Sequence, residues 1–380
     1  MGDNPVCLLA LDGGGIRGLS ELIILEQIMN RIKFLLKLDE DPLPADYFDL
    51  IGGTSTGGLI ALLLGRLRLS VPQARAEFVR ISEEVFSAST FYKTHKFDAR
   101  KLEDAVKRLL GDNRSEERMN EKDDNSKVFV CSVPQTYLKE RGGPRLFRTY
   151  SVLEKETFNC TIWEACRATS AAPTYFDPIY IGDKGEKEPM VDGGLGYNNP
   201  VEQVLQEARN EFPGRKVACV VSIGTGVANA IKFPKSPKTS FLKVIKALTE
   251  MATESDTIAD KIQERFRGTR DTYFRFSVDH GLAEIGLEEW KNQVDVRTKT
   301  TEYINQRTVL DQVMQVATAL LASKIVGGGD GSSMQIRLLE DKAGENKGSQ
   351  GQPRMLEWRP SERPIPKFPY TTEQLALQSM

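Results

Sequence analysis

The chain has 380 residues, enough for one large or two ordinary domains with a substantial core. Its 51 Lys plus Arg stand against 53 Asp plus Glu, a net charge of −2 that argues against nucleic acid as the main partner. A 40% hydrophobic and 27% charged composition is that of an ordinary globular protein, and no run approaches the roughly 18 apolar residues of a membrane span.

The five cysteines, Cys7, Cys131, Cys160, Cys166 and Cys219, are odd in number and form no C-x-x-C pair. Neither a zinc site nor a disulfide framework is indicated, and a reducing, cytoplasmic setting is expected. The opening MGDNPVCLLALDGGG has no basic region, and its apolar run is too short for a signal peptide. Val6 stands where a myristoylation start wants Ser or Thr.

Val6 to Leu11 (VCLLAL) is continuously apolar, the pattern of a strand buried on both faces. The loop Asp12-Gly13-Gly14-Gly15-Ile16-Arg17-Gly18 follows, and then helical periodicity from Leu19 to Leu38. Gly13, Gly15 and Gly18 match G-x-G-x-x-G, which fits a dinucleotide loop, an oxyanion hole or a tight βα turn. The next strand decides between them. A dinucleotide fold wants an acidic residue at that strand's end, but Asp49 lies inside it. The oxyanion hole is preferred, with the backbone N–H groups of Gly14 and Gly15 facing a reacting carbonyl. Arg17 either holds the loop or attracts an anionic head group.

Phe48 to Leu64 (FDLIGGTSTGGLIALLL) is the organising stretch: short apolar strand, glycine turn, apolar helix, with a serine at the turn. Gly53-Thr54-Ser55-Thr56-Gly57 fits G-x-S-x-G. A serine that must present its hydroxyl sits on a strained turn, and side chains at the flanking positions would clash with nearby backbone. A serine N-cap on a plain βα turn is the competing reading.

Val71 to Phe86 and Phe97 to Leu110 read as helices, the second capped by Asp98. The charge run Gly111 to Ser126 reads as a solvated, mobile loop. Val128 to Val133 is a strand, with Leu146 to Tyr150 as its partner across an Arg141–Pro144 turn. Thr161 to Pro173 is a helix whose small residues, Ala168 to Ala172, allow close approach to another backbone. Asp192 follows Met190 and Val191 and precedes Gly193 and Gly194; Pro200 then opens a helix. Val217 to Ile223 is a buried strand, Thr272 to Val278 another, and Asp295 to Lys324 is helical with little interruption. Ile231 to Leu248 interleaves five lysines with Phe233, Phe241, Leu242 and Ile245, which fits either a helix on an anionic membrane or a wet-faced surface helix. Residues 327 to 380, rich in Gly and Pro, read as a linker or tail.

A serine nucleophile needs a base. The chain has only two histidines, His95 and His280, and neither has a glycine or strand-end setting. Asp192 has one, and a Ser55–Asp192 dyad works if the carboxylate lies in a partly dry pocket that raises its basicity. No His, Cys or carboxylate cluster has metal-ligand spacing.

DGGGIRG at Asp12 to Gly18, GTSTG at Gly53 to Gly57, ATSAAPTYF at Ala168 to Phe176 and DGG at Asp192 to Gly194, in this order, resemble the patatin-like phospholipase family and its calcium-independent branch. The resemblance covers residues 5 to 205 and, more loosely, the chain to about 325. It implies one domain over residues 5–325. The implied fold is a three-layer αβα one with a mainly parallel sheet, similar to α/β-hydrolases. It further implies Ser55 as nucleophile, Asp192 as base and Gly13–Gly15 as oxyanion hole, supported by Arg17, Gly18, Gly53, Gly57, Gly193 and Gly194. The expected activity is hydrolysis of fatty acyl esters in phospholipids or related lipids, without metal or cofactor, at a transiently contacted membrane surface. A transacylase on the same dyad and a non-catalytic lipid-binding module are the alternatives; the latter has no need of a strained serine. The Pro-rich end is similar to fungal proteins in which a patatin domain precedes a nucleotide-binding oligomerisation module, absent here. The residues leave the oligomeric state open, a homo-oligomer included.

Overall fold

A strand covered on both faces has no polar position to alternate, and β1 (Val6–Leu11) is such a strand, with all six residues buried. The computed structural model describes residues 5–87, 97–120, 126–137, 142–152, 159–173, 175–183, 185–226, 255–269, 271–278, 280–282 and 285–326. His95, the lysine-rich stretch 231–248 and the tail 327–380 lie outside the described residues. All described residues belong to the first of two units, Met1–Ser332.

Around β1 stand β2 (Leu50–Thr54), β3 (Lys127–Pro134), β4 (Arg145–Arg148), β5 (Ile179–Ile181), β6 (Glu188–Asp192), β7 (Val217–Ile223) and β8 (Tyr273–Phe276). Their sheet runs β5-β6-β3-β2-β1-β7-β8, with β4 pairing β3 off this path. The pairs β3–β2, β2–β1, β1–β7 and β7–β8 are parallel. The pairs β3–β4, β3–β6 and β5–β6 are antiparallel. The fold is therefore α/β, with a mixed sheet of mostly parallel strands between two helical layers.

Side-chain alternation along β1 divides the core in two. Cys7, Leu9 and Leu11 join the cluster of α1 (Gly18–Leu36), α2 (Thr56–Ala61), α3 (Val71–Phe86), α4 (Ala99–Leu110) and α5 (Ile162–Thr169). Two further helices, α8 (Gln293–Ile304) and α9 (Arg307–Val326), complete that layer. Val6, Leu8 and Ala10 face the other way, onto α6 (Val201–Glu211) and α7 (residues 255–265).

Local signals set the helix ends. Ser70 opens α3 and Thr161 opens α5 with reciprocal capping boxes to Gln73 and Glu164, and Asp98 caps α4. The segment Asp295 to Lys324 is helical, its one short interruption at Asn305–Gln306 dividing two helices that both pack on α1. One expectation changes. The charge run after Gly111 is not simply solvated: Glu117 is buried and bonded to Arg66 (2.6 Å) and Arg114 (2.5 Å), while Met119 enters the core. Arg66 is itself 2% exposed, and a buried guanidinium needs such a partner.

Candidate active site

The end of β2 meets the start of α2 at Ser55, whose φ of 54° and ψ of −124° are strained for a residue with a side chain. Crowding around this turn accounts for the glycines. A Cβ at Gly53 would penetrate the Gly57 carbonyl, and one at Gly57 would penetrate the Asp12 carbonyl. The turn thus presses directly against the end of β1, where the glycine loop begins.

Asp192 ends β6, whose antiparallel register sets it opposite Ser132 of β3. The Ser55 hydroxyl donates to Asp192 Oδ2 at 2.7 Å, and the Gly194 N–H donates to Asp192 Oδ1 at 2.7 Å. The Asp192 N–H is held by the Ala171 carbonyl at 3.0 Å. The Ser55 N–H donates to Thr169 Oγ1 (2.9 Å), whose hydroxyl donates to the Cys131 carbonyl (2.6 Å). The small-residue end of α5, readable in sequence only as a packed helix end, therefore fastens both Ser55 and Asp192. Gly193 has no room for a Cβ, which would stand 2.5 Å from the Cys131 carbonyl oxygen.

Asp192 is 1% exposed. Burial pushes its carboxyl up from the ordinary 3.8 to about 7, although the Gly194 N–H and the Ser55 hydroxyl favour the charged form. A carboxylate poised near neutrality that touches a serine hydroxyl can exchange a proton with it. His280 is exposed, and no hydrogen bond joins it to this site among the described residues.

The three loop glycines are not equivalent. The Gly13 N–H donates to the Asn198 carbonyl at 3.1 Å, so Gly13 contributes its shape rather than a free donor: its missing Cβ would lie 3.0 Å from Ser55 Cβ. The Gly14 N–H donates to Thr56 Oγ1 at 3.2 Å, a long bond. The N–H groups of Gly15 and Thr56 have no acceptor among the described residues. Thr56 carries no mark of its own in the sequence; the general geometry of a serine elbow, where the residue after the nucleophile donates its N–H, is the signal that names it. Arg17 Nε donates to the Gly14 carbonyl at 3.2 Å, so it braces the loop, and burial lowers its guanidinium to about 10. Gly18 starts α1 close against Phe78 and Ile60. Among the described residues no group of three or more His, Cys, Asp or Glu is placed to hold a metal ion.

Fold and site together define an α/β protein with a serine on a strand–turn–helix elbow facing an aspartate at a strand end. The family model described as patatin-like phospholipase matches residues 9–205, and the chain belongs to that family. The chain is 27% identical over 301 residues to rabbit (Oryctolagus cuniculus) calcium-independent phospholipase A2-gamma, a match covering 75% of this chain and 36% of that protein. It is 28% identical over 234 residues to patatin-like protein 2 of Arabidopsis thaliana, covering 56% and 54%. A third relative, 27% identical over 314 residues and covering 77% and 79%, is named probable inactive patatin-like protein 9 of Arabidopsis thaliana. The chain thus spans about a third to a half of the length of the first two relatives. Family membership alone does not carry activity, so the geometry of the site has to.

Proposed function

We propose that this protein is a lipid acyl hydrolase that cleaves fatty acyl esters of phospholipids or related lipids through Ser55 and Asp192. The observation that carries the reading is the 2.7 Å bond from the Ser55 hydroxyl to Asp192 Oδ2 on a strained elbow. Asp192 takes the hydroxyl proton as Ser55 Oγ attacks the ester carbonyl. The N–H groups of Gly15 and Thr56, with Gly14 as the next donor, meet the negative charge that develops on the carbonyl oxygen. Collapse expels the lyso-lipid alcohol, protonated by Asp192, and leaves the acyl group on Ser55. Water, deprotonated by Asp192, then releases the fatty acid. Asp192 contacts the nucleophile directly and backbone donors meet the oxyanion, so this chemistry calls for no metal ion or cofactor.

The carbonyl of a lipid ester lies in a bilayer, so the enzyme works at a membrane surface. Among the described residues no helix is long and apolar enough to cross a membrane. We assign the surface contact to Ile231 to Leu248 on its sequence, and place the protein in the cytoplasm on its reduced-cysteine composition. The family, the intact serine and aspartate, and the N–H groups of Gly15 and Thr56, without acceptors among the described residues, support the reading. A fluorophosphonate probe tests it: wild type is labelled and Ser55→Ala is not, whereas an unlabelled wild type contradicts a serine hydrolase.

A further inference from the structure

The glycine loop is gripped from behind by strands that lie beyond the matched residues 9–205. Arg275 of β8 reaches across β7 to Asp12, the residue before Gly13. Its Nη1 donates to Asp12 Oδ1 at 2.9 Å and its Nη2 to Asp12 Oδ2 at 2.6 Å, a two-pronged pair. Nη1 also donates to Ser222 Oγ at 2.8 Å. The guanidinium fills the space that glycine leaves at Gly224, where a Cβ would stand 2.5 Å from Nη2.

The pair is deeply placed, with 14% of the Arg275 side chain and 2% of the Asp12 side chain exposed. The Asp12 N–H is shared by the Ile223 carbonyl (3.1 Å) and Glu21 Oε1 (2.8 Å), so backbone and side chain of Asp12 are both fixed. Two more contacts from the same region hold the loop: Thr225 Oγ1 donates to the Gly13 carbonyl at 2.9 Å, and the Ile16 N–H donates to the Leu287 carbonyl at 2.8 Å. No hydrogen bond joins Arg275, Thr225 or Leu287 to Ser55 or Asp192 among the described residues. Their bonds end on Asp12, Gly13 and Ile16, at both ends of the segment that carries Gly14 and Gly15.

We propose that Arg275 is a positioning residue for hydrolysis: its pair with Asp12 sets the orientation of the glycine loop that receives the oxyanion. The inference rests on the hydrolase reading above. Lysine keeps the charge but offers no planar two-pronged match to a carboxylate, so it leaves the loop's charge balance intact and loosens its orientation. A displacement of about 1 Å in a group that meets the transition state lowers turnover about 10²-fold.

The test compares wild type, Arg275→Lys and Asp12→Asn on a soluble short-chain ester, with active sites counted by fluorophosphonate titration. Counting sites separates turnover by folded enzyme from loss of folded enzyme, the readout that a merely structural role would not move. The expected result is a kcat per titrated site lowered about 10²-fold in Arg275→Lys, with KM within about 3-fold of wild type. Arg275→Lys combined with Asp12→Asn should be little worse than either single variant. A wild-type kcat per titrated site in Arg275→Lys overturns the proposal, however few sites are counted. So does a fall in kcat/KM that lies wholly in KM. If the wild type neither titrates nor hydrolyses, the hydrolase reading itself fails and this one with it, an outcome distinct from an active wild type with an unaffected variant.

Discussion

Replacing Asp192 with Asn should change how the stability of the protein depends on pH. Burial raises this carboxyl from 3.8 to about 7 against two hydrogen bonds that favour its charged form. The folded protein therefore holds a proton that the unfolded chain releases. Stability from the neutral carboxyl is fully present below about pH 4 and is lost as pH rises through about 7. About three pH units, at about 1.4 kcal/mol each, amount to about 4 kcal/mol over the whole range. Between pH 4.5 and 8.5, about 3 kcal/mol of that falls due. Asparagine cannot ionise and escapes the loss. The stability of Asp192→Asn relative to wild type should then climb by about 3 kcal/mol across that interval. Urea unfolding at constant ionic strength, read by tryptophan fluorescence at each pH, measures it, with m-values compared to verify that the denatured states match. Asp12 and Glu21, also raised by burial, titrate in both proteins and cancel in the difference. Parallel profiles for the two proteins would refute the placement of Asp192 as a dry, neutralised base.

The two dyad residues act as one unit, so Ser55→Ala and Asp192→Asn should each remove most turnover while the double variant is little worse than either, as steady-state kinetics would register. Activity on a soluble ester should be unchanged in excess chelator; a loss restored by calcium would show that an ion takes part. Changing Lys235, Lys238 and Lys243 to Glu should weaken binding to anionic vesicles, steeply at low salt, by on the order of 1 kcal/mol per lysine. Soluble-ester turnover of that triple variant should persist, and wild-type vesicle binding would show that this stretch does not meet the membrane.

What was legible in the sequence follows from range. The buried strands announced themselves because a strand covered on both faces must be apolar throughout, as Val6–Leu11 and Val217–Ile223 are. Helix starts were legible where a cap residue lies within four positions, as at Asp98. The break at Asn305–Gln306 carries no glycine or proline and was not legible, because packing on α1 rather than local preference sets it. Ser55 and Asp192 could be paired because glycines flank the first and follow the second, and the family motifs stand in order. Their contact spans 137 residues and depends on register between β3 and β6, which no local pattern encodes. Arg275 was invisible for the same reason: its role exists only across 263 residues, through a strand order that puts β8 beside β7. The loop glycines read alike in sequence, yet Gly13 gives its N–H to Asn198 while Gly15 keeps its own free among the described residues.

The central claim is that Ser55 carries the acyl group between attack and hydrolysis. Acid quenching during turnover of a phospholipid in mixed micelles, followed by digestion and mass spectrometry, tests it most directly. The expected result is a fatty acyl mass added to the peptide containing Ser55, absent in Ser55→Ala, with fatty acid released only by the wild type. Fatty acid release by Ser55→Ala at the wild-type rate, with no acylated peptide in either protein, would contradict it.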